Sequence, residues 1–242
     1  MAAWLASQPG TFRTYSPSYS LPQHIAQRAG LELADGVDPM QVASYARLMQ
    51  AATGARAQGY SVTIPAFGPH VDVRQALRDA TPDARLLGRL NVRYVVADFP
   101  VEADGLAKQA RFGTTFVYEN ERWYPRAFVE GGAAADVTLY EPDRVVVEAN
   151  GPGLLTLSQV YYPGWRASID GQPASIQAMD SLTGIELSAG RHIVEFAFAP
   201  WTVSAGLLVS GVGWGSLLVV GLICLSAFVL GRRRLLWNRA AK

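Results

Sequence analysis

The chain has 242 residues, half of them hydrophobic, with 21 basic and 20 acidic side chains and a formal net charge of +1. That length allows one large or two modest folded units with a real core, and the charge balance excludes a basic nucleic-acid-binding face. The single cysteine, Cys224, excludes an internal disulfide framework.

The chain opens MAAWLASQPG, which has neither a basic start nor an apolar run long enough for an export signal. Thr11 to Tyr15 reads as a short strand leading into the turn-rich SPSYSLP. Asp38-Pro39-Met40-Gln41 has the pattern of a helix start, with a capping carboxylate, a first-turn proline and Gln at the third position. The helix is expected to run to Thr53, with Gly54 as its stop. Val42, Tyr45, Met49 and Ala52 recur at helical spacing and make its apolar face. Asp72-Val73-Arg74-Gln75 repeats the capping pattern for a helix to about Ala80, and Thr81-Pro82 starts another ending near Leu90. Arg93 to Ala97 (RYVVA) is a buried strand. Helices alternating with short strands predict a small α/β layer over residues 1–111.

Beyond Phe112 the hydrophobic period becomes two. Strands are predicted at Thr115 to Tyr118, Ala127 to Glu130, Asp136 to Tyr140, Arg144 to Ala149, Leu154 to Val160, Trp165 to Ile169, Ile185 to Leu187 and His192 to Ala199. Asp170-Gly171 and Ala189-Gly190 are hairpin turns. Many short strands at regular spacing indicate an antiparallel β-sandwich of Ig-like or jelly-roll-like type over residues 112–200, so the fold class is α+β. Gly131 to Ala135 is the one flexible joint.

No catalytic residue, metal site or cofactor is expected. His24, His70 and His192 are scattered, and neither a Gly-x-Ser-x-Gly elbow nor a phosphate-binding Gly-Lys loop occurs. Loop solvation and helix capping account for Asp35, Asp38, Asp98, Glu102 and Asp104. The most distinctive cluster is Tyr161-Tyr162-Pro163-Gly164-Trp165. Two readings compete for it: aromatics that stack on a sugar or lie on lipid headgroups, or a turn that fills the sandwich core. On the first reading Tyr161, Tyr162, Trp165 and Arg166 form a substrate-binding set. Trp123-Tyr124-Pro125-Arg126 reads as a packed corner, with Arg126 and Arg166 neutralising nearby carboxylates.

From Thr202 to Leu230 no residue is charged, and Arg232, Arg233 and Arg234 follow at once. That run exceeds the roughly 20 residues that cross a hydrocarbon core, so a transmembrane helix is expected over residues 201–231. Trp201 and Trp237 are placed for the two headgroup layers, with Arg232, Arg233 and Arg234 as interface anchors. Removing Arg232, Arg233, Arg234, Arg239 and Lys242 from the formal +1 leaves −4 for the remainder. The positive-inside bias puts the tail 232–242 in the cytoplasm and the bulk of the chain outside, close to the membrane surface. Export of that bulk without a signal leads to the expectation that the chain is the C-terminal piece of a longer polytopic protein. Gly211 and Gly215 make a small-residue step suited to packing on another span. The expected partners are the lipid bilayer, other transmembrane helices and an envelope glycan, with no nucleic acid.

Four blocks in order, LLGRLNVRYVVAD (Leu86 to Asp98), VYENERWYPRAFV (Val117 to Val129), LTLSQVYYPGWRASIDGQP (Leu155 to Pro173) and LSAGRHIVEFAFAPW (Leu187 to Trp201), are followed by the final span. Together they resemble the C-terminal end of the YfhO-type bacterial membrane proteins, over roughly residues 83–234. That family is similar to polytopic glycosyltransferases that take sugars from polyprenyl-phosphate donors outside the cytoplasmic membrane. The resemblance implies an outer domain and last span that support structure or bind the acceptor. The family's catalytic acidic residues lie in the first outer loop, which has no counterpart in this sequence. The alternative is a self-contained, membrane-anchored glycan-binding module.

Overall fold

The computed structural model describes residues 1–56, 62–68 and 70–240, with side chains described as far as Ala227. The first half is built from α1 (Ala2–Ala6), β1 (Arg13–Tyr15), α2 (Gln23–Arg28), β2 (Glu32–Leu33), β3 (Gly36–Val37), α3 (Ala43–Thr53), β4 (Thr63–Ile64), α4 (Val73–Arg78), α5 (Ala84–Arg89), β5 (Val92–Ala97), β6 (Leu106–Phe112) and β7 (Thr115–Asn120). Five strands form a sheet in the order β2-β1-β5-β7-β6, parallel around β1 and antiparallel from β5 onward. Its centre is β5, buried on both faces. Tyr94 and Val96 pack with Leu5 of α1 and Ala26 of α2, whereas Val95 packs with Met49 of α3 and Leu87 of α5. A strand covered on both sides has no polar face to alternate with, which is why RYVVA is nearly continuous in apolar residues.

Helix ends follow the sequence in part. Asp72 caps α4 by accepting from the Gln75 amide, and Gly54 ends α3 at φ +67°, a conformation costly for other residues. Asp38 is not a helix cap. Its Oδ1 accepts from the Met40 amide at 2.8 Å in a local turn, and α3 begins later, at Ala43, without a side-chain cap. Asp83, rather than Thr81, caps α5.

The second half contains β8 (Ala127–Val129), β9 (Ala135–Tyr140), β10 (Arg144–Val160), β11 (Trp165–Ile169), β12 (Gln172–Ala174), β13 (Gln177–Met179) and β14 (Leu182–Phe198). They form one seven-stranded sheet along the path β12-β11-β14-β10-β8, with β9 on β10 and β13 on β14. The fold is therefore mixed α+β with mostly antiparallel sheets, as the sequence indicates. Two details differ. Thr115 to Tyr118 pairs with β5 in the first sheet instead of opening the second. The strands predicted on either side of Gly151 and of Gly190 are each continuous, as β10 and β14. Gly151 pairs with Gly190 and Gly153 with Leu187, so the turn-like glycines form a bulge. No side chain fits there, because a Cβ on Gly151 would lie 1.9 Å from the Ser188 carbonyl.

Val145, Val147, Leu155, Leu157, Ile185, Val194 and Phe196 of the two long strands make the core of this half. The β11–β12 hairpin turns at Asp170 and Gly171, both at positive φ, as a tight two-residue turn requires.

The helix α6 (Trp201–Ala240) belongs to a separate compact unit that starts at Phe198. Its stretch Trp201–Ala227 is long and apolar enough to cross a membrane. Its large side chains, from Val203 to Leu225, are exposed all round, unlike those of a soluble core helix. Ser216 and Ser226 return their hydroxyls to carbonyls one turn earlier, at 2.8 and 2.9 Å, so neither is left unpaired in an apolar setting.

Candidate functional site

A cavity of about 410 Å³ opens where the edge of the first sheet meets the second. Glu32 reaches it from β2, Tyr140 from the end of β9, Val145 and Gln159 from β10, and Trp165 from the start of β11, with Glu141 at the rim. The turn Pro163-Gly164, with Gly164 at φ +119°, brings Trp165 into this position. Its ring rests on the second core while forming part of the cavity wall.

Behind the cavity lies a charged cluster. Arg126, only 2% exposed, donates from Nη2 to Glu32 Oε2 at 2.8 Å. Arg13 Nε lies 3.4 Å from the same oxygen, and its Nη1 donates to the carbonyls of Ser158 at 2.7 Å and Leu90 at 3.1 Å. The Arg126 guanidinium sits 4.9 Å from the centre of the Tyr140 ring. Two arginines thus share one carboxylate, and Arg126 Nε and Nη1 are buried without a hydrogen-bond partner. Burial, followed by the neighbouring Arg13 charge, lowers the Arg126 pKa, while Glu32 opposes the shift. Burial raises Tyr140, which keeps its hydroxyl protonated and able to donate.

Aromatic faces beside carboxylate and amide oxygens suit a sugar, whose ring stacks and whose hydroxyls hydrogen-bond. Of the residues singled out in sequence, Trp165 alone lines the cavity. Arg166 is exposed and alternates to the opposite side of β11 from Trp165 and the buried Ala167. Tyr162 is exposed, and Tyr161 is half-buried with its amide donating to the Ser181 carbonyl at 2.8 Å. Tyr140, Gln159 and Glu32 had no sequence signal as a group, because the cavity gathers them from three distant strands.

Arg126 does neutralise a carboxylate, Glu32, and its corner is packed: the Tyr124 and Phe128 rings lie 4.4 Å apart. Trp201 is exposed at the start of α6. The side chains of Arg232, Arg233, Arg234 and Trp237 lie outside the described ones. A Cβ on Gly211 or Gly215 would meet nothing within 4 Å.

Two further groups differ from the sequence reading, in which Asp35 is a solvated or capping carboxylate and His192 an isolated residue. Asp35 is buried, and burial pushes its carboxyl up to about 7, opposed by the Ser16 amide that donates to Oδ1 at 3.1 Å. His192 places Nδ1 2.8 Å from Asp170 Oδ2 and Nε2 3.1 Å from Ser188 Oγ. That connectivity matches a serine–histidine–carboxylate relay. Asp170 Oδ1 also accepts from the Ile193 amide at 2.8 Å, so the group ties the β11–β12 turn to β14. None of the three residues lines the cavities beside Trp165, Arg122 or Phe12, and the contacts they make are those of a clamp between the turn and β14. Among the described residues there is no cluster of three or more metal-ligating side chains.

Comparison with known proteins adds a match over part of the chain. The sequence model of a family described as bacterial membrane protein YfhO matches residues 136–210. The match runs from β9 through β14 into the first turns of α6 and includes Tyr140, Val145, Gln159 and Trp165. The blocks Leu86 to Asp98 and Val117 to Val129 lie outside it. Neither the curated proteins nor the solved structures contain a match to the chain. Over residues 136–210 the chain thus resembles a family of bacterial membrane proteins, and its stretch Trp201–Ala227 is long and apolar enough to span a bilayer.

Proposed function

We propose that the chain serves as the C-terminal extracytoplasmic domain and last span of a membrane glycosyltransferase-like protein that uses polyprenyl-phosphate sugars. Its task there is to hold the acceptor glycan, in the cavity formed by Trp165, Tyr140, Gln159 and Glu32, rather than to perform transfer. The observation that carries this reading is that cavity, most of whose lining falls within the YfhO-type segment. The orientation rests on the arginines after the span, Arg232, Arg233 and Arg234.

Orientation is tested with a cysteine at Gly132, where a Cβ meets nothing within 4 Å and the φ of +87° confines the strain to a surface turn, in a chain carrying Cys224→Ser. Labelling by a membrane-impermeant maleimide added to whole cells supports the reading. Labelling only after lysis overturns it and favours a cytoplasmic scaffold.

The second reading is a self-contained, anchored glycan-binding module, in which the cavity beside Trp165 holds the glycan without a catalytic partner. Crosslinking in cells from Gly211→Cys discriminates. Adducts to another membrane helix support the first reading, and a span without neighbours supports the second.

A further inference from the structure

A larger cavity, about 570 Å³, shares no residue with the Trp165 site and is lined by Arg85, Arg89, Glu121, Arg122, Trp123 and Tyr124. One wall is α5, where Arg85 and Arg89 lie four residues apart and so on one face. The other is the connection between β7 and β8. The two walls touch through backbone. A Cβ on Gly88 would come within 2.0 Å of the Arg122 carbonyl, and the Tyr124 amide donates to the Gly88 carbonyl at 3.2 Å. Asn120, fully buried, fixes both: its Nδ2 donates to the carbonyls of Ala84 and Val92 at 2.8 and 2.9 Å, and its Oδ1 accepts from the Arg122 amide at 2.9 Å. The cleft is therefore preformed rather than a gap between mobile side chains.

Three arginines line the cleft against one carboxylate, Glu121, which leaves it net positive. Among the described residues Arg85 makes no ion pair and is exposed. Arg122 pairs with Asp104, which is 85% exposed, and Arg89 with Glu130, which is 40% exposed. The Arg122–Asp104 pair, whose carboxylate is open to water, is weakly held and exchanges readily for a better oxyanion. Arg89 Nε is buried with no partner. Tyr124, 39% exposed, adds an aromatic ring at the mouth.

We propose that this cleft binds an anionic saccharide, with its carboxylate or phosphate on the arginines and its ring against Tyr124. Arginine forks match the planar or tetrahedral oxyanion, and the aromatic face supplies the contact that selects a ring over a simple anion. A second binding surface for a charged sugar unit lies, on this assignment, apart from the Trp165 cavity.

The test is calorimetric titration of the full chain carrying Trp165→Ala, in micelles of a detergent free of sugar and phosphate. Glucuronate and glucose 1-phosphate separate the two sources of charge. Glucose and glycerol 1-phosphate are the probes lacking the charge or the ring. Saturable binding of at least one charged sugar, tighter than glucose and glycerol 1-phosphate by tenfold or more, is the expected result. R85Q/R122Q and Y124A should each weaken it by tenfold or more with an unchanged unfolding midpoint. If R122Q lowers the midpoint, R85Q alone, at an exposed side chain, carries the test. No saturation by either charged sugar at millimolar concentration, equal binding of glycerol 1-phosphate, or full affinity in the folded arginine variant overturns the proposal.

Discussion

Arg126 and Glu32 are joined at 2.8 Å across the boundary between the two sheets, with the arginine buried and the carboxylate half-exposed. The pair holds β2 of the first sheet against the start of β8 in the second, so it is a clasp as well as the back of the cavity. Removing Glu32 leaves Arg126 buried and uncompensated, a larger loss than the pair's net worth, whereas removing Arg126 leaves Glu32 with Arg13.

Glu32→Gln should therefore destabilise the globular unit by about 2–3 kcal/mol, less than a fully buried pair because water reaches Glu32. Arg126→Ala should cost less, since Glu32 keeps Arg13, and the double variant less than the sum, since the two losses are one interaction. Urea unfolding of the detergent-solubilised chain, followed by tryptophan fluorescence, measures all three.

Asp35 predicts a pH dependence of opposite sign to that of most carboxylates. Burial raises its folded-state pKa to about 7, above the unfolded value near 3.8. Between those values the folded state holds the proton more tightly, so this group's contribution is full below about pH 4 and is lost as pH rises through about 7. The span corresponds to a loss of order 4 kcal/mol. Asp35→Asn, which keeps an acceptor for the Ser16 amide, should remove that slope and raise stability at pH 8. An unchanged stability–pH profile in the variant would refute the assignment.

His192 and Asp170 give the more usual pattern. The hydrogen bond between them raises the histidine and lowers the carboxylate. The histidine's contribution is present below its unfolded pKa and is lost as pH rises through the raised value. The carboxylate's is present above its unfolded pKa and is lost as pH falls through the lowered value. The clamp is thus complete from about pH 4 to 6.5, and His192→Gln should flatten the profile around that window without unfolding the chain. Proton-detected titration of the His192 ring checks the direction of its shift.

Gly88→Ala separates intrinsic preference from packing. In an open helix the change favours alanine by about 1 kcal/mol. Here the new methyl would meet the Arg122 carbonyl at 2.0 Å, so α5 must move away from the β7–β8 connection. Destabilisation of 2 kcal/mol or more is expected, measured by the same urea unfolding.

Local rules made much of the fold legible. The Asp72 cap, the Gly54 stop, the buried RYVVA strand and the Asp170-Gly171 turn depend on neighbours within a few residues, and each is where the sequence puts it. The uncharged stretch after Trp201 is legible as a helix long and apolar enough to cross a membrane, and its exposed side chains set it apart from a soluble core helix. What depends on partners was not legible. Nothing local reveals that Thr115 to Tyr118 would find β5, or that Gly151-Pro152-Gly153 would bulge inside a long strand instead of ending it. The candidate site was legible only at Trp165. Arg166 is its neighbour in sequence, but strand alternation sends it to the other face, while Tyr140, Gln159 and Glu32 converge from afar.

That difference supplies the most direct test of acceptor binding. The detergent-solubilised full chain is applied to an array of bacterial envelope oligosaccharides, alongside Trp165→Ala and Arg166→Ala. The account predicts a glycan signal that Trp165→Ala abolishes and Arg166→Ala leaves in place. A signal that survives Trp165→Ala, or no glycan bound by the folded parent chain, would contradict it.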